Sequence, residues 1–100
     1  MAYREYSFAD IEKAIAAQNK KYNLEQIKKA YDFGEKAHEG QMRKSGERYF
    51  NHPTAVSIII IDLGLDTESV VAALLHDVVE DTPVTSEELK NEFGAGVAGL

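Results

Sequence analysis

The residues of this chain best suited to chemistry are a histidine–aspartate pair and two acids that follow it closely. His76 and Asp77 come directly after the six apolar residues 70–75, and Glu80 and Asp81 follow two valines later. Imidazole and carboxylate groups are standard ligands for zinc, manganese and iron ions. Carboxylates at the end of a helix also oppose its dipole, so a cation is expected to compensate them. The sequence therefore predicts a divalent metal site here.

A second histidine, His52, lies 24 positions upstream of the pair, at the start of a predicted helix. It is a further candidate ligand, and with Pro53 beside it a helix cap is an open alternative. For a His–Asp dipeptide taken alone, a hydrogen-bonded core histidine is also open, because a short motif needs its structural context. His38 lies among polar residues late in another predicted helix, where we expect a solvated or packing role rather than metal binding.

Positive charge is concentrated in the segment 40–51, which has no sustained periodicity and is predicted to be a loop. Arg43, Lys44 and Arg48 lie within six residues, with Ser45 and a glycine between them. An arginine fork, a lysine point charge, a hydroxyl and glycine-flanked backbone amides together suit a phosphate. A solvated basic loop is the alternative. Because the loop directly precedes the second histidine, it can line the same pocket.

Apolar residues recur at helical spacing along most of the chain, and capping residues mark the predicted helix starts. Leu24, Ile27, Tyr31 and Gly34 form the inward stripe of the second helix, and the wholly apolar run 70–75 places the fourth helix at the centre of the fold. The first predicted helix runs from Phe8 to Gln18 after Ser7, and the second is capped by Asn23 and ends near Gly40. The third is capped by Asn51 or His52 and ends at Leu63–Gly64, and the fourth runs from Glu68 to about Glu80 after Asp66 or Thr67. The fifth is capped by Thr85 with Glu88 and ends at Phe93–Gly94.

The third of these helices contains the β-branched run 58–61, which is also typical of a strand. Pro53 would lie in the first turn, where a helix tolerates proline, and the apolar stretch is longer than a typical strand. We therefore predict a helix, and with it an all-α domain.

The segments that carry these residues resemble the HD hydrolase domain of RelA/SpoT-type alarmone enzymes. The resemblance covers the chain from about Tyr22 to Leu100, and it implies an all-α HD-domain helical bundle. Residues 1–22 would then be a helical lead-in, and residues 23–100 the N-terminal part of the HD phosphohydrolase domain. The matching strings are HEGQMRKSGERYFNHP from His38, AALLHDVVEDT from Ala72 and EFG from Glu92.

That family serves the stringent response by hydrolysing the 3′-pyrophosphate of guanosine penta- and tetraphosphate, giving GTP or GDP and pyrophosphate, with a manganese ion. The family's fourth metal ligand is an aspartate on a later helix, so the resemblance implies a bundle truncated after about five helices, weakly active or inactive alone. The apolar run Val97–Leu100 at its end fits this expectation. By resemblance, the metal ligands are His52, His76 and Asp77, the acids that handle the nucleophilic water are Glu80 and Asp81, and the guanine and phosphates are held by Arg43, Lys44 and Ser45.

Two alternatives within this fold stay open, a non-catalytic regulatory HD domain and an HD phosphohydrolase of another nucleotide. The intact ligand set favours an enzyme, and the string Arg43–Gly46 favours the guanosine substrate. Longer family members carry a downstream GTP pyrophosphokinase (synthetase) domain, for which this sequence supplies no site.

The composition narrows the partners and the location. The chain has 100 residues, no cysteine and a net charge of −6, which disfavours general binding to nucleic acid or to an anionic membrane. It contains no apolar run near the roughly 20 residues of a membrane span, and its N-terminus lacks a signal-peptide core. We expect a cytoplasmic protein. An apolar face left exposed on the fourth helix would favour a homo-oligomer.

Overall fold

The computed structural model describes residues 4–94, which form six helical segments and no strand. One isolated antiparallel bridge joins Met42 and Arg48 in the loop after the second helix. The predicted all-α fold is confirmed. The helices are α1 (Phe8–Ala16), α2 (Leu24–Ala37), α3 (Asn51–Asp62), α4 (Thr67–Leu75), α5 (Val78–Asp81) and α6 (Ser86–Phe93).

Three helices begin at the polar cap that the sequence predicts. The side chains of Asn23, Asp66 and Thr85 each accept a hydrogen bond from a backbone amide of the first turn, at 3.0 to 3.1 Å. These bonds satisfy amides that have no partner within the helix. Ser7 likewise precedes α1, and α6 ends at Phe93 before Gly94 as predicted, whereas α1 ends two residues earlier than expected.

The start of α3 differs from the prediction, because neither Asn51 nor His52 is its cap. The helix is preceded by Phe50, which makes no side-chain capping bond, and Pro53 lies in the first turn. The Asn51 side chain instead holds the N-terminal segment, since it accepts from the amide of Tyr6 at 2.7 Å and donates to the carbonyl of Arg4. His52 is exposed at this end of α3.

The predicted fourth helix is wrong as one continuous element. It breaks at His76 and Asp77, so that α4 ends at Leu75 and the short α5 begins at Val78. The His76 imidazole is hydrogen-bonded to the carbonyl oxygen of Ala73, at 2.9 Å. In a continuous helix that oxygen would accept from the amide of Asp77, so the side chain competes with the helical ladder.

The core is arranged around α4, which packs against both α2 and α3, while α1 packs against α3. The predicted central position of residues 70–75 is confirmed, since all but Ala72 are buried. Leu24 was expected to face inward, but it lies at the first position of α2 and is 41% exposed. Gly34 lies where α2 meets Phe50 and the backbone of Leu74.

One expectation falls outside the described residues, and another is answered by them. The run 97–100 lies outside the described residues. Within residues 4–94, no helix is long and apolar enough to cross a membrane.

Candidate metal and phosphate site

The break between α4 and α5 places His76 and Asp77 side by side at the surface. The His76 Nδ1 atom lies 2.9 Å from the carbonyl oxygen of Ala73. Because a carbonyl only accepts, Nδ1 carries a proton, and when the ring is neutral Nε2 keeps its lone pair. The side chain is 45% exposed, so His76 is not a buried core histidine.

The separation of the two donor atoms fits a shared cation. Nε2 of His76 lies 3.2 Å from Oδ2 of Asp77. Two ligand atoms bound at about 2.0–2.2 Å to one ion are separated by about 3.0–3.5 Å, depending on the coordination geometry. At this distance either a proton on Nε2 or a bound cation would balance the carboxylate charge. The donor chemistry and the spacing therefore suit a divalent metal.

His52 approaches this pair from α3. Its ring centroid lies 6.5 Å from that of His76, with the ring planes inclined by 58°. For two imidazoles on one ion the centroids must be closer, by about 1 Å in a tetrahedral site. Among residues 4–94, accordingly, no three His, Asp or Glu side chains already stand in the arrangement of a metal site. His52 is exposed, so its ring can reorient at small energetic cost.

Tyr49 is the contributor that the sequence reasoning missed. Its hydroxyl lies 2.8 Å from Oδ2 of Asp77 and 2.8 Å from Oδ2 of Asp81. Desolvation raises the pKa of this phenol, and its hydrogen bonds to the two carboxylates raise it further. A tyrosine three residues before a histidine is no signal by itself; only the return of the loop onto the α4–α5 break brings it here.

The two acids of the predicted catalytic pair stand in different surroundings. Asp81 is tied to Asp77 through the Tyr49 hydroxyl. Glu80 is exposed and lines, with His76, an open groove of ≈570 Å³ between α3, α4 and α6. The structure therefore orients Asp81 beside Asp77, while Glu80 is exposed at the edge of the same surface.

The basic segment forms a small hairpin rather than an irregular loop. The amide of Gly46 donates to the carbonyl of Arg43, and the amide of Arg43 donates to the carbonyl of Glu47, both at 2.9 Å. Gly46 has a φ of 89°, which favours glycine at that position of the turn. Lys44 and Ser45 thus lie at an exposed tip.

The charge at this tip is partly neutralised by Glu47. Its carboxylate lies 3.5 Å from the Arg43 guanidinium and 3.5 Å from the Ser45 hydroxyl. Within residues 4–94, no ion pair is recorded for Lys44. Arg48 faces away and pairs with Glu5 and Glu35. The exposed lysine therefore carries the uncompensated positive charge of the tip.

His38 is buried, so the expected packing role is correct and the solvated one is wrong. Only 2% of its surface is exposed, and its ring stacks on those of Tyr49 and Phe50. Its Nδ1 atom lies 2.9 Å from Oε1 of Gln41. The ring thus supports the loop that carries the basic tip.

Comparison with known proteins identifies relatives of most of the chain. A family model described as "HD domain" matches residues 30–100. The Haemophilus influenzae protein named guanosine-3′,5′-bis(diphosphate) 3′-pyrophosphohydrolase is 68% identical over 64 residues, which are 64% of this chain. The Escherichia coli bifunctional (p)ppGpp synthase/hydrolase SpoT is 42% identical over 95% of the chain. A Myxococcus xanthus protein named GTP pyrophosphokinase is 53% identical over 78% of it.

These relatives are much longer than the chain. The matched region is 10% of the H. influenzae and M. xanthus proteins and 14% of the E. coli protein. The family match, residues 30–100, includes His76, Asp77 and the basic hairpin. The likeness to the HD domain family therefore extends over the site described above.

Proposed function

The chain belongs to the HD domain family, and on that premise we propose that it forms the metal- and phosphate-binding part of a hydrolase of guanosine tetra- and pentaphosphate. The observation that carries the proposal is the His76–Asp77 pair, whose Nε2 and Oδ2 atoms lie 3.2 Å apart. The names of the relatives support the nucleotide and the reaction.

We propose His52, His76 and Asp77 as the residues that hold the metal, and manganese as the ion. Two imidazoles and a carboxylate suit manganese as well as zinc or iron. When bound, such a cation supplies Lewis-acid polarisation of a phosphoryl oxygen and makes water more acidic. The Ala73 carbonyl accepts from Nδ1 of His76, and a bond of this kind orients a histidine so that its other nitrogen can bind the ion.

The acids beyond the break would handle the water. Asp81 is held by Tyr49 beside Asp77, and Glu80 lies one residue away on the exposed side of α5. One of these carboxylates accepts a proton from the water. At the same time the water oxygen bonds to the phosphorus that is attached to the 3′-oxygen. The bond from phosphorus to the 3′-oxygen breaks, that oxygen takes up a proton, and pyrophosphate and GDP or GTP are released.

The basic hairpin would bind the polyanion. Arg43, Lys44 and Ser45 offer a guanidinium, an ammonium group and a hydroxyl at one exposed turn. The Glu47 carboxylate already contacts the Arg43 guanidinium and the Ser45 hydroxyl. A phosphate group would take the place of this carboxylate, so binding would remove little additional water from Arg43 and Ser45. This is how a chain with a net charge of −6 can bind an anionic substrate.

Several wider expectations stay predictions. They are the assignment of residues 1–22 as a lead-in and of residues 23–100 as part of a larger HD phosphohydrolase domain, the cytoplasmic location, and self-association. The apolar face expected on the fourth helix is wrong, because Val70, Val71 and residues 73–75 of α4 are buried. Ile59 and Leu63, at the end of α3, are instead 58% and 71% exposed, and we propose this surface for self-association.

The proposal is tested by pyrophosphate release from guanosine tetraphosphate in the presence of Mn²⁺, with the full gene product that contains this chain. Asp77→Ala removes one proposed ligand and should abolish both hydrolysis and bound manganese. Asp62→Ala, an exposed acid at the end of α3, is the matched control and should retain both. Retention of hydrolysis and of bound manganese by Asp77→Ala would refute the ligand assignment.

A further inference from the structure

The α4–α5 break is tied to the loop that precedes α3 by one tyrosine hydroxyl. We propose that Tyr49 is a positioning residue that fixes Asp77 and Asp81 relative to each other, and that His38 and Gln41 hold its ring in place. This inference rests on the proposed function, because it assigns Asp77 to the metal and Asp81 to the water.

The Tyr49 hydroxyl lies between the carboxylates of Asp77 and Asp81. The Tyr49 oxygen lies 2.8 Å from one oxygen of Asp77 and 2.8 Å from one oxygen of Asp81. A phenol has a single proton to donate, so two carboxylates share it. Without the hydroxyl the two like charges would have no donor between them and would be expected to separate. Tyr49 therefore sets the spacing of the two acids.

The backbone of Tyr49 is held by Gln41. The amide of Tyr49 donates to the carbonyl of Gln41 at 2.9 Å across the base of the basic hairpin. The Gln41 side-chain amide in turn donates to the main-chain carbonyl of Asp81. Two residues paired in the hairpin thus contact the α4–α5 region at separate points, one through carboxylates and one through the backbone.

The buried His38 contacts both Tyr49 and Gln41. Because the Gln41 nitrogen donates to Asp81, its oxygen must accept, and the His38 Nδ1 atom 2.9 Å away donates to it. The His38 ring stacks on the Tyr49 ring at a centroid distance of 4.8 Å and an angle of 30°. His38 is 2% exposed, so this contact fixes the tyrosine ring from its buried side.

The Asp77 carboxylate needs a hydrogen-bond partner to hold its orientation. His76 and Asp77 lie between α4 and α5, and although the Asp77 carbonyl accepts from the amide of Asp81, that backbone bond does not orient the Asp77 carboxylate. A hydrogen bond to a ligating carboxylate orients it, and loss of such a partner typically costs about 10–100-fold in metal affinity or activity. Tyr49 is the described residue whose side chain makes that bond to Asp77.

The test compares Tyr49→Phe with Tyr22→Phe in the full chain. Each variant loses one hydroxyl and keeps its ring, and Tyr22 donates to the carbonyl of Leu65, away from the break. We expect Tyr49→Phe alone to weaken Mn²⁺ binding about 10–100-fold in calorimetry. Without metal, hydrogen–deuterium exchange of residues 76–82 should be faster in Tyr49→Phe alone. In the full gene product, kcat should fall while KM stays near the wild-type value.

Unchanged Mn²⁺ affinity and unchanged exchange in Tyr49→Phe would overturn the positioning role. If the unchanged chain binds no Mn²⁺ but exchange at residues 76–82 still rises in Tyr49→Phe, the positioning stands and the metal proposal fails. If Tyr49→Phe does not fold, Gln41→Ala decides: it removes the bond to Asp81, so faster exchange confined to residues 76–82 supports the proposal and wild-type exchange contradicts it.

Discussion

At the scale of single residues, the chemistry depends on one carbonyl and one hydroxyl. The Ala73 carbonyl directs the lone pair of His76 towards Asp77, and the Tyr49 hydroxyl joins Asp77 to Asp81. Neither partner is visible in the spacing of the histidines and acids. The pairing of His76 with Asp77 could be predicted from the sequence, because adjacent residues stay adjacent in any fold. Tyr49 could not, because its contact spans 28 and 32 positions of the chain.

The residue-scale prediction concerns Lys44 at the tip of the basic hairpin. Its exposed ammonium group is proposed to bind a substrate phosphate, and a hydrogen bond to a charged group contributes about 1.5–3 kcal/mol. Lys44→Ala should therefore raise KM for guanosine tetraphosphate about tenfold or more and leave Mn²⁺ affinity unchanged. Steady-state kinetics of the full gene product would measure this, with Lys13→Ala on the exposed side of α1 as control. Equal KM values in both variants would exclude Lys44 from the phosphate site.

At the scale of elements, the helix starts follow from local chemistry and the helix break does not. Capping residues satisfy free amides, so Asn23, Asp66 and Thr85 could be identified from the sequence alone. The apolar run 70–75 and the two valines after His76–Asp77 predict one continuous helix there. The side-chain bond from His76 to the backbone ends α4, and periodicity carries no information about such a bond.

The cap of α4 gives a pH-dependence. Hydrogen bonds from the side chain and backbone of Ser69 hold the pKa of Asp66 below its ordinary value of 3.8. A carboxyl whose pKa is lower in the folded state stabilises that state above the unfolded pKa, and the contribution is lost as the pH falls through the folded pKa. Asp66→Asn keeps a cap of similar quality without the titration.

We therefore expect wild type to lose stability relative to Asp66→Asn as the pH is lowered from 5 to 2. Urea unfolding at a series of pH values would measure the difference. A difference between the two proteins that stays constant over this range would show that the cap does not titrate in this way.

The crossing of α2 and α4 gives a second element-scale prediction. A Cβ atom at Gly34 would lie 2.5 Å from the Phe50 ring and 3.0 Å from the carbonyl oxygen of Leu74. Gly34→Ala should cost about 1–3 kcal/mol from overpacking, more than the roughly 0.5–1 kcal/mol that alanine gains within a helix. Urea unfolding should show this loss, whereas Lys36→Ala on the exposed face of α2 should not. A stabilised Gly34→Ala would mean that Phe50 can move aside.

At the scale of the whole molecule, a central helix and the loop before α3 bring distant residues to one surface. α4 packs against α2 and α3, which places its C-terminal end beside His52 of α3 and the hairpin that leads into it. The all-α fold and the meeting of His52 with the His76–Asp77 pair could be predicted from the resemblance to RelA/SpoT-type domains. The side-chain positions within that surface could not, because they depend on the break and on the fold of the hairpin.

The central claim is that His52, His76 and Asp77 hold one divalent metal ion. Titration of the chain with Mn²⁺ in a calorimeter measures it most directly, with Asp77→Asn as the isosteric variant and Asp62→Asn as the control. We predict one saturable site in the wild type and in Asp62→Asn, and its loss in Asp77→Asn. Equal binding in all three proteins, or no saturable binding by the wild type, would contradict the account.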